Sequence, residues 1–232
     1  MLKYLENNQT SVSLDLSDSA DVLLFVFGGI KNGIGMPFFE FNNFLKQYKN
    51  LSKVFIRDIN QAWYHKGLTG ISEEIATTLD YIKQITKEKT YTKIIFIGNS
   101  AGGYAALLFG NLLNINKVIA FAPQTFINRK NRLLYQDFRW KKQIRAIYDY
   151  KNSTPAYYDL KKVLKNNSNT QNTIYFDSND KLDKVNAQRL SSLENTNIID
   201  LKLGKHNLIK AIRDNGLLKK IIENEIQGNK NI

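Results

Sequence analysis

The 232-residue chain carries 33 lysines and arginines against 21 acidic residues, a net charge of +12, with two histidines and no cysteine. The length suits one α/β domain, residues 1–232, with a sizeable core, and the missing thiols exclude disulfides, thiolate metal sites and a cysteine nucleophile. The longest strongly apolar run, Val22 to Ile30, is too short to span a bilayer, and Met1–Glu6 has no apolar signal core, so the expected compartment is the cytoplasm.

Residues 11–16 alternate apolar and polar and predict an edge strand. Residues 21–27 are continuously apolar, the pattern of a central strand covered on both faces. That run ends in Gly28-Gly29-Ile30, a backbone able to bare an amide for an oxyanion at Gly29 or Ile30. Residues 38–48 are amphipathic and predict a helix, and 52–57 a further strand. In the loop that follows, Trp63, Tyr64 and His65 are candidates for lining a substrate pocket; the alternative is a loop anchored by its aromatics. Residues 71–88 predict a long helix with Ser72, Glu73 and Glu74 in its first turn.

The stretch from Lys93 to Leu108 organises the chain. A buried strand runs into Gly98-Asn99-Ser100-Ala101-Gly102 and then into a helix rich in small residues. Gly-x-Ser-x-Gly between strand and helix is the pattern of a nucleophile elbow, which exposes a serine hydroxyl at the tip of a strained turn. Walker and dinucleotide-binding fingerprints are absent. The amide of Ala101, next after the serine, supplies the other oxyanion donor. Residues 117–122 predict another buried strand, followed by Pro123 and Gln124, the latter a further pocket candidate.

Residues 125–168 break the strand–helix rhythm and predict a helical, cap-like insertion. Between Arg129 and Lys151 lie eight basic and two acidic residues with interleaved aromatics. Such a run is either a solvated face or a seat for an anionic substrate or polymer. The sheet resumes at 173–176, an aspartate cluster (Asp177, Asp180, Asp183) follows, and strand 197–203 leads into Gly204-Lys205-His206-Asn207. Helices over 208–212 and 217–226 close the chain. Alternating apolar strands and helices predict a mostly parallel sheet with helices on both faces.

A serine needs a general base, and an imidazole base needs a carboxylate to fix its tautomer. Ser100, the aspartate cluster and His206 occur in the order Ser, Asp, His, each after a predicted strand. His65 precedes the serine and breaks that order, which leaves His206 as the base. A three-residue turn after the strand selects Asp180 as the acid, with Asp183 and Asp177 as alternatives; Asp183 also sits where a helix cap would.

These residues resemble the α/β-hydrolase superfamily over most of the chain. Phe121-Ala122-Pro123-Gln124, the loop Arg57–His65 and the Gly204–Asn207 turn are similar to small hydrolase-like proteins of bacterial surface-polysaccharide loci. That group includes acetyl-CoA-dependent polysaccharide O-acetyltransferases. The resemblance implies an α/β-hydrolase fold in which Ser100 accepts an acyl group, His206 is the base and Asp180 the orienting acid. The superfamily often has glycine where this chain has Asp177. The expected activity is a serine-dependent ester hydrolase acting on a carbohydrate or small ester, anionic substrates included. The alternatives are an O-acetyltransferase on the same fold and a non-catalytic binder of an anionic polymer. No cofactor, metal or nucleic-acid partner is expected, with acetyl-CoA a co-substrate in the transferase reading.

Overall fold

The computed structural model describes residues 10–30, 36–166, 169–203 and 208–227. Among these, seven strands form one sheet: β1 (Val12–Asp15), β2 (Val22–Phe27), β3 (Ser52–Ile56), β4 (Lys93–Asn99), β5 (Lys117–Phe121), β6 (Gln171–Phe176) and β7 (Thr196–Asp200). Their order is β1-β3-β2-β4-β5-β6-β7, and every pairing is parallel except β1 with β3. The alternating segment 11–16 therefore does lie at an edge, and the continuous run of β2 lies inside the sheet.

Side chains of β2 leave the sheet alternately. Leu23, Phe25 and Phe27 join one core with α2 (Ile75–Lys87) and α3 (Ala101–Leu112), through Ile82, Tyr104 and Leu108. Leu24 and Val26 join a second core on the opposite face with α8 (Leu208–Asp214) and α9 (Leu217–Gln227), through Ile212, Leu218 and Ile222. Helices thus cover both faces, as parallel pairing requires.

The strand order fixes where a site can form. From β2 the chain crosses to β3 on one side, and then returns to β4 on the other side of β2. The crevice between the carboxyl ends of β2 and β4 is the switch point at which open α/β sheets bind ligands. Phe27 pairs with Gly98 there, so the Gly28–Ile30 turn and the Ser100 turn leave the sheet side by side. Beyond β5 and β6, the amides of Ser100, Ala122 and Leu201 donate to the carbonyls of Phe121, Tyr175 and Phe176, which extends the ladder to one common rim.

Between β5 and β6 the chain forms α4 (Arg129–Leu134), α5 (Lys141–Tyr148), a 3-10 turn (Pro155–Tyr157) and α6 (Leu160–Lys165). The only strand-like feature there, among the described residues, is one bridge between Phe126 and Asp159.

Three element boundaries differ from the sequence reading. The helix expected over 38–48 contracts to α1 (Asn42–Leu45). Phe41 takes a left-handed φ of 57° at its start, and Phe39 lies 4.3 Å beneath the Arg57 guanidinium. Aromatics docking an irregular segment had the spacing of a helical face. The helix expected from residue 71 begins at Ile75, because the Ser72 hydroxyl accepts from Leu68 N and the Glu74 amide bonds the Thr77 hydroxyl instead. β7 stops at Asp200, whose carboxylate accepts from the Ser178 and Lys202 amides and turns the chain out of the sheet.

Candidate active site

Ser100 stands at the junction of β4 and α3 with φ 54° and ψ −116°, a backbone that L-residues avoid at a cost of about 1–3 kcal/mol. Its neighbours enforce the turn. A Cβ on Gly98 would lie 2.1 Å from the Gly102 carbonyl oxygen, and one on Gly102 would lie 2.1 Å from that of Phe27. Only glycine lets helix and strand close this tightly. The amide of Ala101, first in α3, has no intrahelical partner and opens beside the serine. The α3 dipole favours negative charge at the same place.

The turn after β2 packs against this elbow. The Gly28 amide is spent on the Ile56 carbonyl (2.8 Å). A Cβ on Gly29 would lie 3.0 Å from the Asn99 carbonyl oxygen and 3.7 Å from the Ser100 Cβ. Glu40 meets the same turn: burial raises its carboxyl above the usual range, opposed by hydrogen bonds from the Asn99 side chain and the Gly29 amide. Of the two donors expected here, Gly29 therefore already serves a carboxylate, while Ile30 follows it in the chain.

Trp63, Tyr64 and His65 are fully buried in protein and do not face an open pocket. Asp58 shapes their loop, accepting on one oxygen from the Ala62 amide (2.6 Å) and the Tyr64 amide (2.9 Å). Gln61, Trp63 and Tyr64 take left-handed φ values of 49°, 50° and 64° around it. Tyr64 in turn donates its hydroxyl to the Gly28 carbonyl (2.9 Å), on the peptide whose N–H belongs to Gly29. The loop thus supports the Gly28–Ile30 turn from beneath. His65 Nε2 lies 2.9 Å from the Tyr104 hydroxyl, which gives its own proton to the Tyr157 carbonyl (2.6 Å). His65 accordingly carries its proton on Nε2. Burial lowers its pKa to about 3, so it stays neutral and sealed away from solvent.

Gln124 follows β5 and is 1% exposed, and both polar atoms of its side chain are buried without a hydrogen-bond partner. Buried amides are rarely left so. The aspartates after β6 have three different environments. Asp177 is buried at the strand end and accepts from the Asn179 amide (2.8 Å). Asp180 caps α7 (Lys181–Gln188), its Oδ1 accepting from the Leu182 and Asp183 amides at 2.9 and 3.0 Å. Asp183 is buried and ion-paired with Arg139 (3.0 Å), which also binds Asp137 (2.8 Å). Burial opposes the charge of Arg139, but Asp137 and Asp183 outweigh it and raise its pKa. His206 lies outside the described residues.

No family model and no curated protein matches this sequence. Solved structures do. The capsule O-acetyltransferase of Neisseria meningitidis serogroup A superposes with a TM-score of 0.70 at 17% identity, covering 96% of this chain and 93% of that one. A variant of that protein was solved in complex with CoA. MGS-M2, an alpha/beta hydrolase enzyme from a deep-sea metagenome library, gives 0.60 at 13% identity, with 96% and 95% covered. FphF, a fluorophosphonate-binding serine hydrolase of Staphylococcus aureus, gives 0.58 at 16% identity, with 91% and 89% covered.

The chain has the α/β-hydrolase fold. Within that fold Ser100, the Gly28–Ile30 turn, Gln124 and the aspartate cluster share one rim. Glu40, Asp58 and the hydroxyl of Tyr64 were missed as supports of the Gly28–Ile30 turn. Only the sheet's register brings Glu40 and Tyr64 to Gly28 and Gly29, and no local spacing announces it.

Proposed function

We propose that the protein is a serine-dependent acyl-transfer enzyme acting first as an ester hydrolase. The observation that carries this is the left-handed φ of 54° at Ser100, the one strained residue between two glycines that sterics make obligatory. In this reading Ser100 Oγ attacks an acyl carbonyl and His206 takes its proton. The amides of Ala101 and Ile30 hold the oxyanion, Gly29 being engaged with Glu40. His206 then returns the proton to the leaving oxygen, and water resolves the acyl-enzyme with the same base. Elimination supports His206: the chain has two histidines, and His65 has its Nε2 bonded and its pKa near 3.

Asp180 is the proposed orienting acid. Two amides fix its Oδ1, while its Oδ2 accepts no hydrogen bond among the described residues and is open to an imidazole. Asp183 is committed to Arg139, and Asp177 lies deeper at the strand end. The unpartnered amide of Gln124 supports a polar substrate contact, a sugar hydroxyl or an amide, beside the elbow. The segment 125–168 is the proposed cap of a single domain, and no cofactor is needed.

A second reading, an acetyl-CoA-dependent O-acetyltransferase, is favoured by the extent of the likeness to the capsule enzyme, near-complete over both chains. The readings share the acylation step and differ in whether water or a sugar hydroxyl attacks next. Intact-mass spectrometry during reaction with a short-chain aryl ester separates them. Turnover without a lasting adduct, lost in Ser100→Ala, supports the hydrolase. An acetyl adduct that persists on Ser100 until a sugar acceptor is added supports the transferase. Equal turnover by Ser100→Ala refutes both.

A further inference from the structure

The end of α4 and the turn from it into α5 form a tip whose apolar side chains are uncovered. Leu133 and Leu134 are 71% and 63% exposed, and Phe138 is 48% exposed. Single exposed leucines are ordinary on a protein surface. Here three large apolar side chains are exposed within six residues, and groups of exposed apolar side chains mark contact sites. The cap does not need them for its own packing, which is carried by the buried Ile144 and Ile147.

Cations accompany these side chains, and the Lys141 Nζ lies 5.5 Å from the centre of the Phe138 ring. Arg129, Lys130, Lys141, Lys142 and Arg145 are all exposed on the two helices that meet at the tip. The segment from Arg129 to Lys151 has a surplus of six positive charges, half the net charge of the chain. Arg132 is 8% exposed, donates to the Arg139 carbonyl (2.9 Å), and keeps its other terminal nitrogen buried without a partner.

The tip is also fixed in place. Arg139, next to Phe138, bonds Asp137 within the tip and Asp183 in the first turn of α7. That turn follows β6 on the rim that carries Ser100.

We propose that this tip docks the protein on an anionic membrane surface. Leu133, Leu134 and Phe138 enter the boundary between headgroups and acyl chains, and the surrounding lysines and arginines stay at the level of the lipid phosphates. A soluble polyanion uses the cations alone and leaves the apolar side chains in water; a lipid surface uses both. No described helix is long and apolar enough to cross a membrane, so the attachment is peripheral. The inference does not depend on the chemistry at Ser100.

The test is flotation of the full chain with vesicles of phosphatidylglycerol and phosphatidylcholine in equal parts, against phosphatidylcholine alone. The protein binds the mixed vesicles, and Leu133→Ser/Leu134→Ser/Phe138→Ser weakens binding by about tenfold or more. Lys141→Glu/Lys142→Glu weakens it by about twentyfold or more, roughly fivefold per basic residue. A second readout needs no variant. Of the two tryptophans, Trp63 is buried in the core, so quenching by brominated lipid reports Trp140 at the base of the tip. Failure to float with mixed vesicles overturns the proposal, as does unquenched fluorescence on vesicles. Equal binding by the triple serine variant also overturns it, leaving charge attraction alone. A concentration-dependent dimer that the triple variant abolishes overturns it too, since a second copy would then cover the patch.

Discussion

At the scale of single residues, the strain at Ser100 separates chemistry from stability. A serine at φ 54° is held there by its neighbours, and glycine alone adopts such a backbone without a steric cost. Ser100→Ala and Ser100→Gly are both expected to lose acyl-enzyme formation by intact mass. Their stabilities differ: the glycine variant is expected to exceed the alanine variant by about 1 kcal/mol in urea unfolding, the reverse of the usual order. Alanine equal to or above glycine shows that the turn holds no strain. Asp180→Asn makes a similar division. Asparagine caps a helix about as well as aspartate, so α7 and the melting temperature are retained. Turnover is expected to fall on the order of 10⁴-fold, the loss seen when an orienting acid becomes an amide. Asp183→Asn instead breaks a buried pair with Arg139 and shows first as lost stability. A larger fall in turnover for Asp177→Asn or Asp183→Asn, at matched folded fraction, moves the acid to that residue.

Among the elements, one peptide plane sets the aim of the turn proposed to hold the oxyanion. The carbonyl of Gly28 and the N–H of Gly29 belong to the same rigid unit. Tyr64 holds the carbonyl end at 2.9 Å and Glu40 meets the N–H end. Rotation of that plane would displace Ile30, the next amide along. Tyr64→Phe removes the hydroxyl and little else. It is expected to lower kcat about tenfold with KM nearly unchanged, and to cost about 1 kcal/mol of stability. A change confined to KM, or to stability, removes Tyr64 from the catalytic alignment. Gly102→Ala, which forces a Cβ to 2.1 Å from the Phe27 carbonyl oxygen, is expected to cost about 3 kcal/mol or more. The elbow was legible in the sequence because sterics make its glycines obligatory and its strand continuously apolar. The mostly parallel sheet with helices on both faces followed from the same patterning. The role of the Asp58–Leu68 loop was not legible. Trp63, Tyr64 and His65 look alike as pocket lining or as core, and only the hydrogen bonds of Tyr64 and His65 separate the two. The helix expected over 38–48 failed for a related reason, since Phe39 and Phe41 dock on the sheet from irregular backbone.

At the scale of the whole molecule, two buried groups in this same region set opposing pH dependences. Burial raises Asp58 from 3.8 to about 6 despite the amides bonded to it. The folded state then binds that proton more tightly than the unfolded chain. Its contribution is fully present below pH 3.8 and is lost as pH rises through 6, a span of about 3 kcal/mol. Burial lowers His65 from 6.5 to about 3. Its contribution is present above pH 6.5 and is lost as pH falls toward 3, about 5 kcal/mol in total. Between pH 6 and 4 the two slopes have opposite signs and nearly equal size, about 1.4 kcal/mol per pH unit each. Asp137 and Asp159, both held below the usual carboxylate range, act only at lower pH. Glu40, raised by burial, acts with Asp58. With Glu40 on the side of Asp58, the wild-type protein should hold level or gain slightly in stability as the pH falls from 6 to 4 in urea unfolding. Asp58→Asn leaves the His65 slope opposed only by Glu40, so stability shifts toward falling with acid over that range. His65→Gln exposes the opposite slope, and stability rises as the pH is lowered. The slope is the readout, because either substitution in a packed core also shifts stability at every pH. Parallel curves for wild type and both variants would place neither titration in the folding equilibrium, and the buried loop beneath the oxyanion turn would then carry no net proton linkage.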